Sequence, residues 1–145
     1  MKITEDAFDI INDIVAEYPV ETGGIIGSSV ENIIDKVILD VSVEQATSYC
    51  RYIPNISFLN ECIEKWQQDN VVFCGVFHTH FFGVQTLSCG DKRYIKDIME
   101  SMPTDINNLL FPLFVLPNRE LVCYLARKIN GEILILADDV EIVKI

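Results

Sequence analysis

The stretch from Val71 to Asp91 reads VVFCGVFHTHFFGVQTLSCGD and joins the most apolar strand pattern of the chain to a run of polar side chains. Its first seven residues carry no charge and are rich in β-favouring side chains. This pattern predicts a strand that is buried on both faces and central in its sheet. Both histidines of the chain, His78 and His80, stand at the end of that strand. Because crevices in open α/β sheets lie at the ends of central strands, we expect a functional site there.

The spacing of the two histidines favours a shared metal ion. On a strand, residues two apart project to the same side, so His78 and His80 face one layer while Thr79 faces the other. A lone histidine is more often structural, but two converging imidazoles favour a metal pair. Downstream, Ser88 and Asp91 have the spacing of a capping box at the start of a helix. An aspartate in that first turn can also contribute a third, anionic ligand, which completes the ligand set of a catalytic zinc site.

Glu21 is the candidate for the base that such a site needs. It precedes the segment GGIIG, whose glycines let another chain or a ligand approach the backbone closely. Taken alone, Glu21 reads as a solvated acid beside a turn. A functional role for Glu21 is favoured because it occurs together with a downstream pattern. That pattern is His-Thr-His, seven residues, Ser, two residues and Asp.

The rest of the chain predicts alternating helices and strands. Apolar residues at helical spacing predict helices over Glu5 to Tyr18, over Ser57 to Gln68, and from Ser88 to near Pro103. Two antiparallel strands are predicted between the first two helices, and three more after the third. The expected order is α, β-β, α, β, α, β-β-β. No repeat, low-complexity segment or linker interrupts this order, so we expect one domain over residues 1–145.

Composition and charge exclude several classes of protein. With 11 basic and 22 acidic residues, the chain has a net charge of -11, which repels phosphate backbones and anionic lipids. We therefore expect no nucleic-acid and no membrane partner. The sequence shows neither the basic and apolar regions of a signal peptide nor a run of about 18 apolar residues without charge. Five widely spaced cysteines without a Cys-x-x-Cys pair indicate free thiols and a cytoplasmic protein.

The polar pattern resembles the signature of the JAMM metallopeptidase family, also called MPN-plus or JAB/MPN. Every signature position is filled, by Glu21, His78, His80, Ser88 and Asp91. The order of elements from about Ile3 to Ile129 and the compact length also resemble the bacterial single-domain members. One departure is visible, since Phe81 stands where family members often have proline.

The resemblance implies both a fold and a reaction. The fold would be α/β, a single MPN-like domain with a central mixed β-sheet flanked by helices and a cytidine-deaminase-like architecture. His78, His80 and Asp91 would bind Zn²⁺. Glu21 would act as general acid and base, and Ser88 would donate a hydrogen bond to the oxyanion. The implied reaction is hydrolysis of an isopeptide or peptide bond at the C-terminal tail of a ubiquitin-like or sulfur-carrier protein.

Two alternatives stay open beside this interpretation. A catalytically silent MPN scaffold or binding module would have the same fold, although such relatives usually lack one or more of the ligands. A zinc amidohydrolase acting on a small amide or a cell-wall peptide would have the same metal site and a different groove. The irregular stretch from Ala46 to Phe58 is the candidate groove wall for a protein tail.

Overall fold

The helices and strands follow the predicted alternation. A computed structural model of the chain describes residues 1–16, 21–40 and 54–144. The helices in these ranges are α1 (Glu5–Ala16), α2 (Ile56–Gln68) and α3 (Cys89–Ser101). The strands are β1 (Lys2–Thr4), β2 (Gly23–Ser28), β3 (Lys36–Leu39), β4 (Val72–His80), β5 (Asn108–Val115), β6 (Glu120–Ile129), β7 (Glu132–Asp138) and β8 (Glu141–Val143).

Six strands form one mixed sheet in the order β3-β2-β4-β5-β6-β7. Within it β4 and β5 are parallel, whereas the other neighbouring strands are antiparallel. The predicted antiparallel pair is β2 and β3, and β4 lies inside the sheet as its uncharged sequence predicted. The short strands β1 and β8 pair in parallel in a sheet of their own.

Helices cover both faces of the mixed sheet, which confirms the expected fold class. On one face, α1 packs through Ala7 and Ile11 against Phe77 and Phe114. On the other face, α2 and α3 share a cluster with sheet residues. Its buried members include Leu59, Trp66, Val76, Ile95, Met99 and Phe111. The histidine strand therefore runs between two apolar layers.

A β-bulge interrupts β4 before it reaches the histidines. Ile26 of β2 pairs with Gly75, whereas the next residue, Gly27, pairs with Phe73, so Cys74 is an extra residue in β4. Phe73 packs into the cluster on the α2 and α3 side, and Cys74 packs into the cluster on the α1 side.

The bulge decides which face carries the two histidines. Beyond it, Val76 lies in the cluster on the α2 and α3 side, although strict alternation from Cys74 would place Val76 on the α1 side. His78 and His80 follow Val76 at intervals of two residues, so they face α3. If the alternation continued from Cys74 without the bulge, both imidazoles would face α1.

Two details differ from the sequence-based expectation, the division of the C-terminal strand and the presence of β1, which was not predicted. The segment from Glu132 to the C-terminus was predicted as one strand, but it is divided into β7 and β8. The strands β1 and β8 have three residues each, too few to show a periodicity. The end of the first predicted helix, Glu17 and Tyr18, and residues 46–53 of the predicted groove wall lie outside the described residues. No helix within the described ranges is long and apolar enough to cross a membrane.

Candidate metal centre

His78 and His80 meet at the end of β4, as their spacing predicted. His78 is fully buried and His80 is 6% exposed. Their Nε2 atoms lie 3.0 Å apart. Because β4 is paired on both sides, with β2 and with β5, the backbone that carries the two rings is fixed.

The N-terminus of α3 brings Asp91 to the two histidines. The predicted capping box is present: the Asp91 N–H donates to Ser88 Oγ at 3.0 Å, and the Ser88 N–H donates to Asp91 Oδ2 at 2.9 Å. The same carboxylate lies 3.1 Å from His80 Nε2 through Oδ2 and 3.3 Å from His78 Nε2 through Oδ1. Asp91 therefore belongs to the cap and to the histidine cluster at once.

The three side chains can hold one metal ion. Their facing donor atoms are separated by 3.0, 3.1 and 3.3 Å. Donors around a tetrahedral ion with bonds of about 2.0–2.1 Å lie about 3.3 Å apart, so little movement is needed to receive such an ion. Two imidazoles and one carboxylate also leave a fourth position of the tetrahedron open.

Each imidazole has a partner on its outer nitrogen. His80 Nδ1 lies 3.0 Å from the carbonyl oxygen of Val84. A carbonyl can only accept, so Nδ1 carries the proton and donates it. His78 Nδ1 lies 2.8 Å from the hydroxyl of Tyr94. In both rings these contacts direct Nε2 toward the centre of the cluster.

Burial and hydrogen bonding act in opposite directions on the charges of the cluster. Burial lowers the pKa of His78 below its ordinary value, in spite of its contacts with Asp91. Burial also opposes a charge on His80, but hydrogen bonds to Asp91 and Val84 raise its pKa overall. Burial opposes the Asp91 charge as well, yet hydrogen bonds with both histidines hold its pKa well below the usual range. The centre is thus an anionic carboxylate facing two imidazoles, an environment that favours a cation.

Glu21 stands beside this cluster, at the start of the glycine-rich strand. The Thr22 N–H donates to Thr79 Oγ1 at 2.9 Å, and the Thr79 N–H donates to the Thr22 carbonyl at 2.9 Å. These bonds join Thr22 to Thr79 just beyond the last paired residues of β2 and β4, Gly23 and His78, and Glu21 is the next residue of the chain. The charge of Glu21 acts on His80 in the same direction as that of Asp91.

The loop after β4 turns sharply and returns Val84 to His80. Phe82 and Gly83 have positive φ angles of 59° and 70°. The Gly83 N–H donates to the Leu116 carbonyl at 2.8 Å, which ties the turn to the end of β5. Phe81, which stands where JAMM family members often have proline, is half-buried in this turn.

Sequence reasoning missed two groups of the site, Tyr94 and the Val84 carbonyl. Tyr94 follows Asp91 by three residues on α3, so the two side chains lie on neighbouring positions of one helix face. That spacing was the available signal. The Val84 contact is made by a backbone carbonyl, so no pattern of side chains in the sequence could predict it.

Solved structures from three organisms share this fold. A protein from Desulfitobacterium hafniense, studied in solution, matches with a TM-score of 0.68 and 13% identity, covering 99% of this chain and 92% of its own. A solution structure from Salinibacter ruber matches with a TM-score of 0.57 and 17% identity, covering 99% and 91%. The crystal structure of a JAB1/MPN domain protein from Archaeoglobus fulgidus matches with a TM-score of 0.51 and 15% identity, covering 99% and 97%.

These similarities define the class of the protein by its fold. No protein-family model matches the sequence, and no curated protein matches it either. At the identities of the solved structures, the likeness is one of fold alone. The chain is an MPN-like α/β protein in which a buried His78, His80 and Asp91 group can hold a metal ion.

Proposed function

We propose that the protein is a JAMM-type zinc metallopeptidase that hydrolyses amide bonds. The observation that carries the proposal is the convergence of His78, His80 and Asp91 at the end of β4, with donor separations of 3.0 to 3.3 Å. The MPN-like fold supports it because the order of elements around the site is the one that the signature resemblance implied.

Zinc is the proposed metal because of the donor set. Neutral imidazole nitrogens and one carboxylate oxygen, with a fourth position open, are typical of catalytic zinc rather than of closed structural sites. Zinc bound there would act as a Lewis acid and make water available as a nucleophile near neutral pH. Contacts of the outer ring nitrogens with Val84 and Tyr94 turn both Nε2 atoms toward the position proposed for the metal.

Glu21 is the proposed general acid and base. Its carboxylate would take a proton from the attacking water and then deliver it to the departing amine. Its place next to Thr22, which bonds to Thr79 between the two histidines, supports this role, as does the effect of its charge, which raises the pKa of His80.

Ser88 is the proposed donor to the oxyanion. Its Oγ accepts the Asp91 N–H in the cap, so the hydrogen of the hydroxyl is available for donation. The Ser88 side chain is exposed, which lets a substrate carbonyl approach it. Loss of one oxyanion donor typically costs about 2.7–4 kcal/mol of transition-state stabilisation.

The proposed substrate is the C-terminal tail of a ubiquitin-like or sulfur-carrier protein. An extended tail can bind along the edge of a sheet through backbone hydrogen bonds. Among the strands of the described residues, β3 is the edge strand near the site, and its path supports this mode of binding. The Asp40 N–H that follows β3 donates to the Gly23 carbonyl at 2.8 Å, and Gly23 pairs with His78. A tail laid along this edge would therefore be led toward the metal ligands.

Cleavage assays with a panel of substrates test the proposal. Zinc-loaded protein should cleave ubiquitin-like and sulfur-carrier fusions that carry a C-terminal extension, and Glu21→Gln protein from a parallel preparation should serve as the inactive control. Cleavage of small amides or cell-wall peptides alone would favour the amidohydrolase alternative. Zinc binding without hydrolysis of any member of the panel would favour the silent scaffold.

A further inference from the structure

Tyr94 connects α3 to the outer nitrogen of His78. Its hydroxyl oxygen lies 2.8 Å from His78 Nδ1. The two rings meet edge to face, with centroids 5.6 Å apart and an interplanar angle of 75°. On its other side the Tyr94 ring packs against Phe111, at a centroid distance of 6.2 Å. The tyrosine is therefore held between the core of the sheet and one of the metal-ligand histidines.

A metal ion on His78 Nε2 requires the proton of the neutral ring to sit on Nδ1. His78 is fully buried, so an Nδ1–H without an acceptor would be a buried unpaired donor, which typically costs about 1–3 kcal/mol. The Tyr94 hydroxyl, at 2.8 Å, can be this acceptor. For His80, the Val84 carbonyl serves the same purpose.

We infer that Tyr94 is a positioning residue: its hydroxyl accepts the Nδ1–H of His78 and so fixes the tautomer and ring orientation with which His78 binds the metal. This inference rests on the metal site of the proposed function. It adds that α3 positions two of the three ligands, Asp91 directly and His78 through Tyr94.

The competing explanation is that Tyr94 only fills space between Phe111 and His78. Tyr94→Phe separates the two, because phenylalanine keeps the ring contacts and removes the hydroxyl. Tyr124→Phe is the matched control. The Tyr124 hydroxyl also makes a hydrogen bond of 2.8 Å, which it donates to the carbonyl of Gln85, and no hydrogen bond among the described residues joins it to a metal ligand.

The first measurement is zinc affinity, determined by competition with a chromophoric chelator. Loss of an outer partner of a ligating histidine typically lowers metal affinity by about 10–100-fold, and we expect Tyr94→Phe to fall in this range. Tyr124→Phe should bind zinc as the wild type does. The thermal midpoint of each metal-free variant, measured alongside, reports whether the fold has been kept.

The second measurement is the side-chain NMR spectrum of His78 in zinc-loaded wild-type protein, which needs no variant. We expect the ring proton on Nδ1, shielded from exchange, and its faster exchange in Tyr94→Phe. A proton on Nε2 of His78 would overturn the inference whether or not the variant folds.

Two further outcomes separate this inference from the proposed function. If wild-type protein binds zinc and Tyr94→Phe binds it equally well, or if Tyr124→Phe loses as much affinity, the positioning role is wrong while the metal site stands. If wild-type protein does not bind zinc at all, the proposed function fails and takes this inference with it.

Discussion

At the scale of single residues, Asp91 takes part in two interactions that make different chemical demands. Its Oδ2 accepts the Ser88 N–H at 2.9 Å and also faces His80 Nε2 at 3.1 Å. The helix cap needs only a hydrogen-bond acceptor, whereas a metal ion favours an anionic oxygen. A substitution that keeps the acceptor and removes the charge can therefore separate the two.

Asp91→Asn is that substitution. A neutral amide oxygen can still accept the Ser88 N–H, so the metal-free protein should keep most of its stability, with a change below the roughly 0.5–2 kcal/mol that loss of a cap costs. Zinc affinity should fall far more, because the anionic ligand is gone. Chelator competition and thermal unfolding of the same preparation measure both. Unchanged zinc affinity with reduced stability would show that Asp91 is a cap and nothing more.

Glu21→Gln tests the residue whose role is least visible from local spacing. The amide cannot act as a general base, so single-turnover cleavage of a tailed substrate should drop by about 10²–10⁴-fold. Zinc content and substrate affinity should stay close to the wild type, because neither the three ligands nor the groove contacts require this carboxylate. Cleavage at a near wild-type rate would reduce Glu21 to a solvated acid before a turn.

The sequence predicted those pairs of the candidate site whose members lie on one strand or in one helical turn. His78 and His80 share a strand, and Ser88 and Asp91 share one helical turn, so their spacing was enough to pair them. Glu21 comes before another strand, β2, and its place beside His80 depends on strand pairing that the sequence does not state. The glycines after Glu21 and the signature resemblance indicated this residue, and no local spacing did.

At the scale of secondary-structure elements, the direction of the histidines depends on the bulge in β4. Gly75 has a φ of 152°, and a Cβ at this position would lie 1.7 Å from the Leu110 carbonyl oxygen. The hydrophobic pattern predicted the strand but not the bulge. A bulge changes which residues face each side of the sheet, and a sequence shows this change only where apolar and polar residues alternate, which they do not in this uniformly apolar segment. Likewise, β1 was missed because three residues carry no period.

Gly75→Ala should therefore destabilise the protein strongly. Its methyl group would collide with the backbone of β5, which is not free to move within the sheet. Gly131→Ala is the matched control, since Gly131 also has a positive φ, of 78°, but has nothing within 4 Å of the added Cβ. In urea unfolding, the control should lose about 1–2 kcal/mol of its free energy of unfolding, because alanine would adopt a left-handed conformation there. Gly75→Ala should lose clearly more. Equal losses in the two variants would contradict the close approach of β4 and β5.

At the scale of the whole molecule, the packing of the sheet between helices makes some cysteine thiols less accessible than others. Burial raises the pKa of Cys74 to about 11 and that of Cys123 to about 12. Cys89, at the start of α3, is exposed. These cysteines and Cys62 are free thiols in the structure, as their spacing predicted, while Cys50 lies outside the described residues.

The rate of alkylation at each cysteine of the folded protein tests these differences in burial and pKa. The thiolate is the reactive form, and a raised pKa leaves little thiolate at neutral pH. Iodoacetamide at about neutral pH should therefore modify Cys89 first and Cys74 and Cys123 slowly. The rate at Cys74 should rise as the pH approaches 11, before the rate at Cys123 does. Peptide mapping by mass spectrometry measures the rates, and protein unfolded in guanidinium, where all sites should react alike, is the control. Equal native rates at Cys89 and Cys123 would contradict the packing.

The central claim is that His78 and His80, together with Asp91, form a zinc site, and the metal content of purified protein tests it most directly. The measurement is elemental analysis of wild-type protein and of the His78→Ala, His80→Ala double variant, both purified without chelator, with circular dichroism to verify that the variant is folded. We expect about one zinc per wild-type chain, held by three protein ligands, and close to none in the folded double variant. Full zinc occupancy in the double variant, or a wild-type protein that takes up no zinc, would contradict the account.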